Sequence, residues 1–191
     1  MSDLILATSS PRRQQMFKDL GVTYTIAPPE VDETVQPHEK ANAYVQRIAR
    51  DKAQKVAELH PAKIILSADT TVSSDGHIFG KPENADEALQ MLQQMQNTTH
   101  EVLSAVCVVD KAGALHECMT TTNVCFRALT MREMEHFVAQ EDNWSGKAGG
   151  YGLQTSAGSA LITSIEGSHT GVIGLPLAET VVLLRSAGFD V

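Results

Sequence analysis

Val102-Leu-Ser-Ala-Val-Cys-Val-Val109 and Ala114-Leu-His-Glu-Cys-Met-Thr-Thr-Thr-Asn-Val-Cys-Phe126 are two apolar, β-branched runs joined by Asp110-Lys-Ala-Gly113. Two such runs around a short polar link with a glycine predict an antiparallel hairpin. On either side of it the pattern changes to strands alternating with helices. Leu4–Thr8 is a short buried strand, and Ser10 as N-cap with Pro11 at the first helical position starts a helix that Gly21 stops. A second helix is expected from Pro37 to Leu59, then a strand over Lys63–Ala68 leading through Asp69-Thr-Thr-Val72 to a turn at Ser74-Asp75-Gly76. Asn84 with Glu87, and Thr130 with Glu133, have capping-box spacing ahead of helices whose apolar residues share one face. A strand near Ser159–Ile165 and a helix opened by Pro176 and ended before Gly188 complete the chain. The long hairpin within an alternating chain predicts an α/β fold with a mixed sheet, not a purely parallel one.

The 191 residues suit one domain or two closely joined lobes. A chain of this size buries roughly 70% of its unfolded surface, so neither a disulfide nor a structural metal is needed for stability. Cys107, Cys118 and Cys125 are odd in number and lack CxxC spacing, which predicts free thiols in a reducing compartment. No stretch has the length of a membrane span, and Met1-Ser-Asp-Leu-Ile-Leu6 lacks the features of a signal peptide. A cytoplasmic location is therefore expected, with no membrane partner. The net charge of −8 argues against a nucleic-acid partner, whose binding would rest on a basic face. No GxGxxG or GxxxxGK[ST] motif and no His pair at i,i+4 is present, which leaves Rossmann, P-loop and HExxH zinc chemistry unsupported.

Four segments can carry chemistry. Arg12 and Arg13 follow Ser9-Ser10-Pro11 in the first turn of a helix, where the dipole disfavours cations. They make sense there if a polyphosphate meets both the arginines and the free N–H groups of the helix start; solvated surface arginines are the alternative. Lys52 falls about 20° from Val45 on a helical projection, inside the stripe of Ala41, Val45, Ile48, Ala49 and Val56. It must snorkel to water or meet a buried negative partner. Asp69 is expected at the end of a buried strand, positioned for a metal ion or an attacking water, or else as a turn residue. Lys81 follows in Gly80-Lys81-Pro82, and Glu30-Val-Asp-Glu33 adds carboxylates between the first two helices. Ser145-Gly-Lys-Ala-Gly-Gly-Tyr-Gly-Leu-Gln154 is low in bulk, as backbone approaching something closely requires, and Tyr151 and Gln154 offer a ring face and an amide to a nucleobase. A flexible surface loop explains the same glycines.

Ser9-Ser-Pro-Arg-Arg13, Glu33, Lys52, Asp69-Thr-Thr-Val72, Gly80-Lys-Pro82, Lys147-Ala-Gly-Gly-Tyr-Gly-Leu-Gln154 and Gly171-Val-Ile-Gly-Leu-Pro176, in this order and spacing, resemble the Maf family of nucleoside triphosphate pyrophosphatases, historically named septum-formation inhibitors. The Lys147–Gln154 stretch is similar to the branch acting on dTTP and UTP; the branch acting on 7-methyl-GTP differs there. Thr155 stands where dTTP/UTP-type members usually carry Gly, and Gly171 where Asn is frequent. The resemblance spans residues 1–191 as a single domain. It implies an elongated mixed sheet flanked by helices, with two lobes and a central cleft, similar to the inosine triphosphate pyrophosphatases. It further implies Asp69 as proton acceptor, assisted by Lys52 and Lys81. Ser9, Arg12, Arg13, Thr70 and Gln154 would contact substrate, with Arg12, Thr70 and Gln154 setting specificity. Glu33 and Asp69 would hold a divalent cation, Mg²⁺ or Mn²⁺. Alternatives that stay open are a pyrophosphatase for another modified nucleotide and a non-enzymatic nucleotide-binding regulator of septum formation. A homodimer is compatible with the resemblance, though no residue pattern demonstrates one. The acidic net charge then reads as one small cationic cleft in an acidic body, suited to a mononucleotide.

Overall fold

The computed structural model describes residues 3–191. Its seven-stranded mixed sheet comprises β1 (Leu4–Leu6), β2 (Thr25–Ile26), β3 (Ile64–Ser74), β4 (His77–Phe79), β5 (Thr99–Val109), β6 (Leu115–Phe126) and β7 (Ile162–Glu166). The order is β2-β1-β3-β5-β6-β7, with β1 parallel to both neighbours and the rest antiparallel. The predicted β5–β6 hairpin forms through eleven matched pairs, from Thr99 opposite Cys125 to Val109 opposite Leu115.

The helices are α1 (Pro11–Asp19), α2 (Ala41–Leu59), α3 (Ala85–Met95), α4 (Met131–Val138), α5 (Glu141–Trp144), α6 (Ser156–Ser159), α7 (His169–Ile173) and α8 (Leu177–Ser186). Alternation along the strands builds three apolar clusters. Leu4, Leu6, Ile64, Leu66 and Ala68 face Phe17 of α1 and Leu184 of α8. Ile5, Ala7 and Ile65 face Val45, Ala49, Ala53 and Val56 of α2 on the opposite side. At the far end of the long strands, Val72, Val102, Val124 and Phe126 pack against α3 and α4. The sheet therefore runs through two packed regions, and the stretch of β3 between them carries the site.

Four local expectations are corrected. The second helix starts at Ala41, not Pro37, because residues 37 and 38 form a turn in which His38 adopts φ 62°. Ser10 makes no side-chain cap; instead its N–H donates to Thr8 Oγ1 at 3.1 Å. The last strand begins at Ile162, since residues 156–159 form α6, capped by Thr155 Oγ1, which accepts from Gly158 N–H at 3.0 Å. Asp69 lies in the middle of an eleven-residue strand rather than at its end, opposite Ala105. Both other capping predictions hold: Asn84 and Thr130 accept from the N–H groups of Glu87 and Glu133. Among the described residues, no helix is long and apolar enough to cross a membrane, and all three cysteines are free.

Candidate active site

One edge of β3 is paired along its length with β5, from Ile65 to Ser73. The other edge is shared: β1 pairs with residues 64–66 and β4 with residues 72–74. Ser67 to Thr71 thus have no strand partner on that side. Backbone edges left open in this way need other groups or a ligand to meet them. A cavity of about 410 Å³ opens here, lined by residues 7–13 after β1, Lys81 after β4, Asp69 and Thr70, and the 145–154 loop. All nine sequence-predicted residues line it: Ser9, Arg12, Arg13, Glu33, Lys52, Asp69, Thr70, Lys81 and Gln154.

Strand alternation sends Asp69 toward α2, where Lys52 emerges from the apolar stripe. The Lys52 ammonium lies 2.8 Å from Asp69 Oδ1 and 2.8 Å from Glu33 Oε1, so its buried charge is met by two carboxylates. Snorkelling does not describe it. Glu33 sits on a loop without regular structure, and α2 pins that loop: Tyr44 Oη donates to the Glu33 carbonyl at 3.1 Å, while Arg47 donates to the Thr34 carbonyl and grips Glu39 in a bidentate pair at 2.7 and 2.8 Å. Burial pushes the Glu33 carboxyl upward, but the Lys52 hydrogen bond and the charges of Lys52, Lys81 and Arg13 outweigh it and hold it below its ordinary value. Lys81 Nζ is 4.0 Å from Glu33 Oε2 and mostly exposed. The Tyr44 phenol is raised to about 12 by burial and by the nearby charges of Asp69 and Glu33.

The opposite wall is cationic. Arg13 donates from Nε to the Gly174 carbonyl at 2.8 Å and from Nη2 to Thr70 Oγ1 at 3.3 Å. Arg12 crosses the cavity mouth to the Gly146 carbonyl at 3.2 Å. Lys147, 7% exposed, donates to the carbonyls of Asp142 and Ser145 at 2.5 and 3.4 Å. Among the described residues none of these three cations is paired with a carboxylate within 4.0 Å. Burial pulls the pKa of each below its ordinary value. Five cations against two carboxylates on one cavity form an anion site.

Two glycines of the 145–154 loop, Gly149 and Gly152, are explained by the protein's own packing. Gly149, at φ 68°, lies so close to β3 that a Cβ would sit 2.9 Å from Val72 Cγ2. At Gly152 a Cβ would meet the Gln154 amide at 2.8 Å and Lys147 Cδ at 2.9 Å, so the missing methyl lets that amide fold back over the loop. Thr155, besides capping α6, donates to the Gly152 carbonyl at 3.0 Å and fixes the loop beyond Gln154. Tyr151 offers less to a base than its motif implies. It is 5% exposed, with its ring edge-to-face against His100 and Phe126 and its hydroxyl 2.8 Å from His100 Nε2. Burial lowers His100 to about 4 and keeps it neutral.

Ser104 and α7 escaped the sequence reading. A single serine in an apolar strand is the only signal Ser104 offers, and α7 is one short turn among glycines. Asp69 uses Oδ1 for Lys52, and Oδ2 is left for a water or a cation. Among the described residues no cluster of three His, Cys, Asp or Glu side chains could hold a metal. Two carboxylates beside an anion site do fit a hard divalent cation whose remaining ligands are phosphate oxygens and water.

A family model described as Maf-like protein matches residues 3–187. The chain is similar to a dTTP/UTP pyrophosphatase of Acinetobacter baylyi, 43% identical over 180 residues, covering 94% of this chain and 97% of that protein. It is also similar to a dTTP/UTP pyrophosphatase of Bordetella avium, 45% identical over 194 residues, covering 97% and 95%. Among solved structures, a nucleoside-triphosphatase / dITP/XTP pyrophosphatase of Mycobacterium abscessus aligns over 97% of this chain and 95% of that one, at 12% identity and a TM-score of 0.47.

Proposed function

This chain belongs to the Maf-like protein family, and from that premise we propose that it hydrolyses dTTP and UTP to the nucleoside monophosphate and pyrophosphate. The observation that carries the proposal is the meeting of two carboxylates and five cations on one cavity at the open edge of β3. The names of relatives at 43–45% identity support the nucleotide class.

In this mechanism Arg12, Arg13 and Lys147 bind the triphosphate, with Ser9 and the start of α1 adding neutral donors. Gln154 meets the pyrimidine edge, its amide held over Gly152. Because Lys52 takes Asp69 Oδ1 and Oδ2 is needed for the proton, Glu33 rather than Asp69 would hold the divalent cation, Mg²⁺ or Mn²⁺, which when bound draws charge from the phosphate oxygens. Lys52, 2.8 Å from each, fixes the separation of the two carboxylates. Asp69, through Oδ2, accepts the proton of a water that attacks the α-phosphorus, and pyrophosphate leaves. Arg13 and Lys81 offset the negative charge that develops on the departing group, where preorganised donors have most effect. The acidic remainder of the chain favours a mononucleotide over a polymer.

The test is a panel of the canonical triphosphates plus 7-methyl-GTP, assayed with Mg²⁺ and with Mn²⁺, with phosphate products identified. Release of pyrophosphate fastest from dTTP and UTP is expected. Preference for a purine, or no hydrolysis of any nucleotide, would overturn the proposal.

A further inference from the structure

Ser104 is 1% exposed at the centre of β5, directly opposite Thr70 of β3. A buried hydroxyl between strands needs a partner for its proton, and here the partner is the Gly171 carbonyl of α7, at 2.7 Å. Because a serine hydroxyl has one proton, the 2.9 Å contact between Ser104 Oγ and Thr70 Oγ1 must use the Thr70 proton. Thr70 Oγ1 then keeps its lone pairs for the Arg13 guanidinium, whose Nη2 approaches at 3.3 Å. The competing acceptor for the Thr70 proton is the Gly174 carbonyl, also 3.3 Å away and already occupied by Arg13 Nε at 2.8 Å. The direction of the whole chain of bonds is therefore set by Ser104.

We infer that Ser104 is a positioning residue: by accepting from Thr70 and donating to α7, it orients the Thr70 hydroxyl so that Arg13 is held for the triphosphate. This rests on the pyrophosphatase function proposed above. Without the Ser104 hydroxyl, the Thr70 proton turns to the Gly174 carbonyl and competes there with Arg13 Nε, loosening one of the two bonds that hold the guanidinium. Ser104 itself lies outside the lining of the cavity and touches no substrate.

The experiment is a double-mutant cycle of Ser104→Ala and Thr70→Val, read as kcat/KM on dTTP, with thermal melts of every variant. Each single substitution is expected to lower kcat/KM about 10-fold, the scale of one hydrogen bond. The double variant should also lose about 10-fold, because the second change removes a link already broken. Independent losses multiplying to about 100-fold would overturn the role of Ser104, as would a Ser104→Ala protein with parental kcat/KM. If Ser104→Ala does not fold, Ser104→Cys takes its place. Its weakly donating thiol should give a smaller loss that Thr70→Val again absorbs, and multiplying losses overturn the proposal equally. Failure of the unsubstituted protein to hydrolyse dTTP overturns the functional proposal and this one together; an active parent with multiplying losses overturns only this one.

Discussion

Replacing Lys52 by Met removes the ammonium that lies 2.8 Å from both Asp69 and Glu33 while leaving the apolar part of the helix face intact. Apolar periodicity alone predicts that Met is tolerated there or even stabilising; the two carboxylates reverse that expectation. Removing one member of a buried ion pair costs about 3–5 kcal/mol because the other charge stays buried and unpaired. The Asp69 side chain is 10% exposed and takes nearly that full effect, whereas Glu33 at 41% is largely screened by water and adds under about 1 kcal/mol. Arg13 remains close enough to offset part of the Asp69 charge, so the loss should be about 3 kcal/mol near pH 8. For a chain of this size that lowers Tm by about 6–12 °C. The sign with pH follows from linkage. In the parent, Glu33 titrates below its unfolded value, so its stabilisation is present above that value and fades as pH falls through the folded one. In the variant that contribution is lost, so the penalty is full near pH 8 and smaller near pH 4, where the parent's own Glu33 contribution fades. Melts of parent and Lys52→Met followed by circular dichroism at both pH values, with dTTP turnover alongside, measure this. Equal melting temperatures near pH 8, or a penalty that does not change with pH, would refute the argument.

Three further outcomes are expected. Asp69→Asn should lose at least about 100-fold in turnover, the low end of general-base catalysis, while remaining folded because Lys52 keeps Glu33 as a partner; near-parental hydrolysis of dTTP would remove Asp69 from its assigned role. Gly152→Ala puts a methyl where the Gln154 amide now lies, at a position whose φ is not in the left-handed region. It should change the ratio of dTTP to purine hydrolysis more than the metal concentration needed for half-activation, and an equal loss on all nucleotides would count against base reading by Gln154. Gly149→Ala combines a left-handed φ with a 2.9 Å approach to Val72 and should cost about 2–3 kcal/mol, seen as a Tm lower by roughly 4–12 °C.

The sequence was informative wherever a local rule operates. The β5–β6 hairpin, the caps at Asn84 and Thr130, and the displaced position of Lys52 follow from spacing within a few residues, and the full set of nine candidate site residues comes from the resemblance to the Maf family. What was hidden is non-local. That β1 and β4 divide one edge of β3 and leave Asp69 in the gap depends on strand lengths and pairings set by the whole sheet, whereas the apolar run by itself ends at Ala68. The start of α2 moved because His38 takes a left-handed conformation that no residue pattern announced. Ser104 was invisible because its importance comes from Thr70 on another strand and Gly171 on another helix. The glycine content of the 145–154 loop is plain in the sequence, but that Gly149 packs on Val72 and Gly152 on Gln154 depends on contacts that the sequence does not show.

The most direct test of the central claim is hydrolysis of dTTP in water enriched in heavy oxygen, with both products analysed by mass spectrometry. Attack at the α-phosphorus predicts label in thymidine monophosphate and none in pyrophosphate. Label in pyrophosphate, or orthophosphate as the released product, would contradict the account.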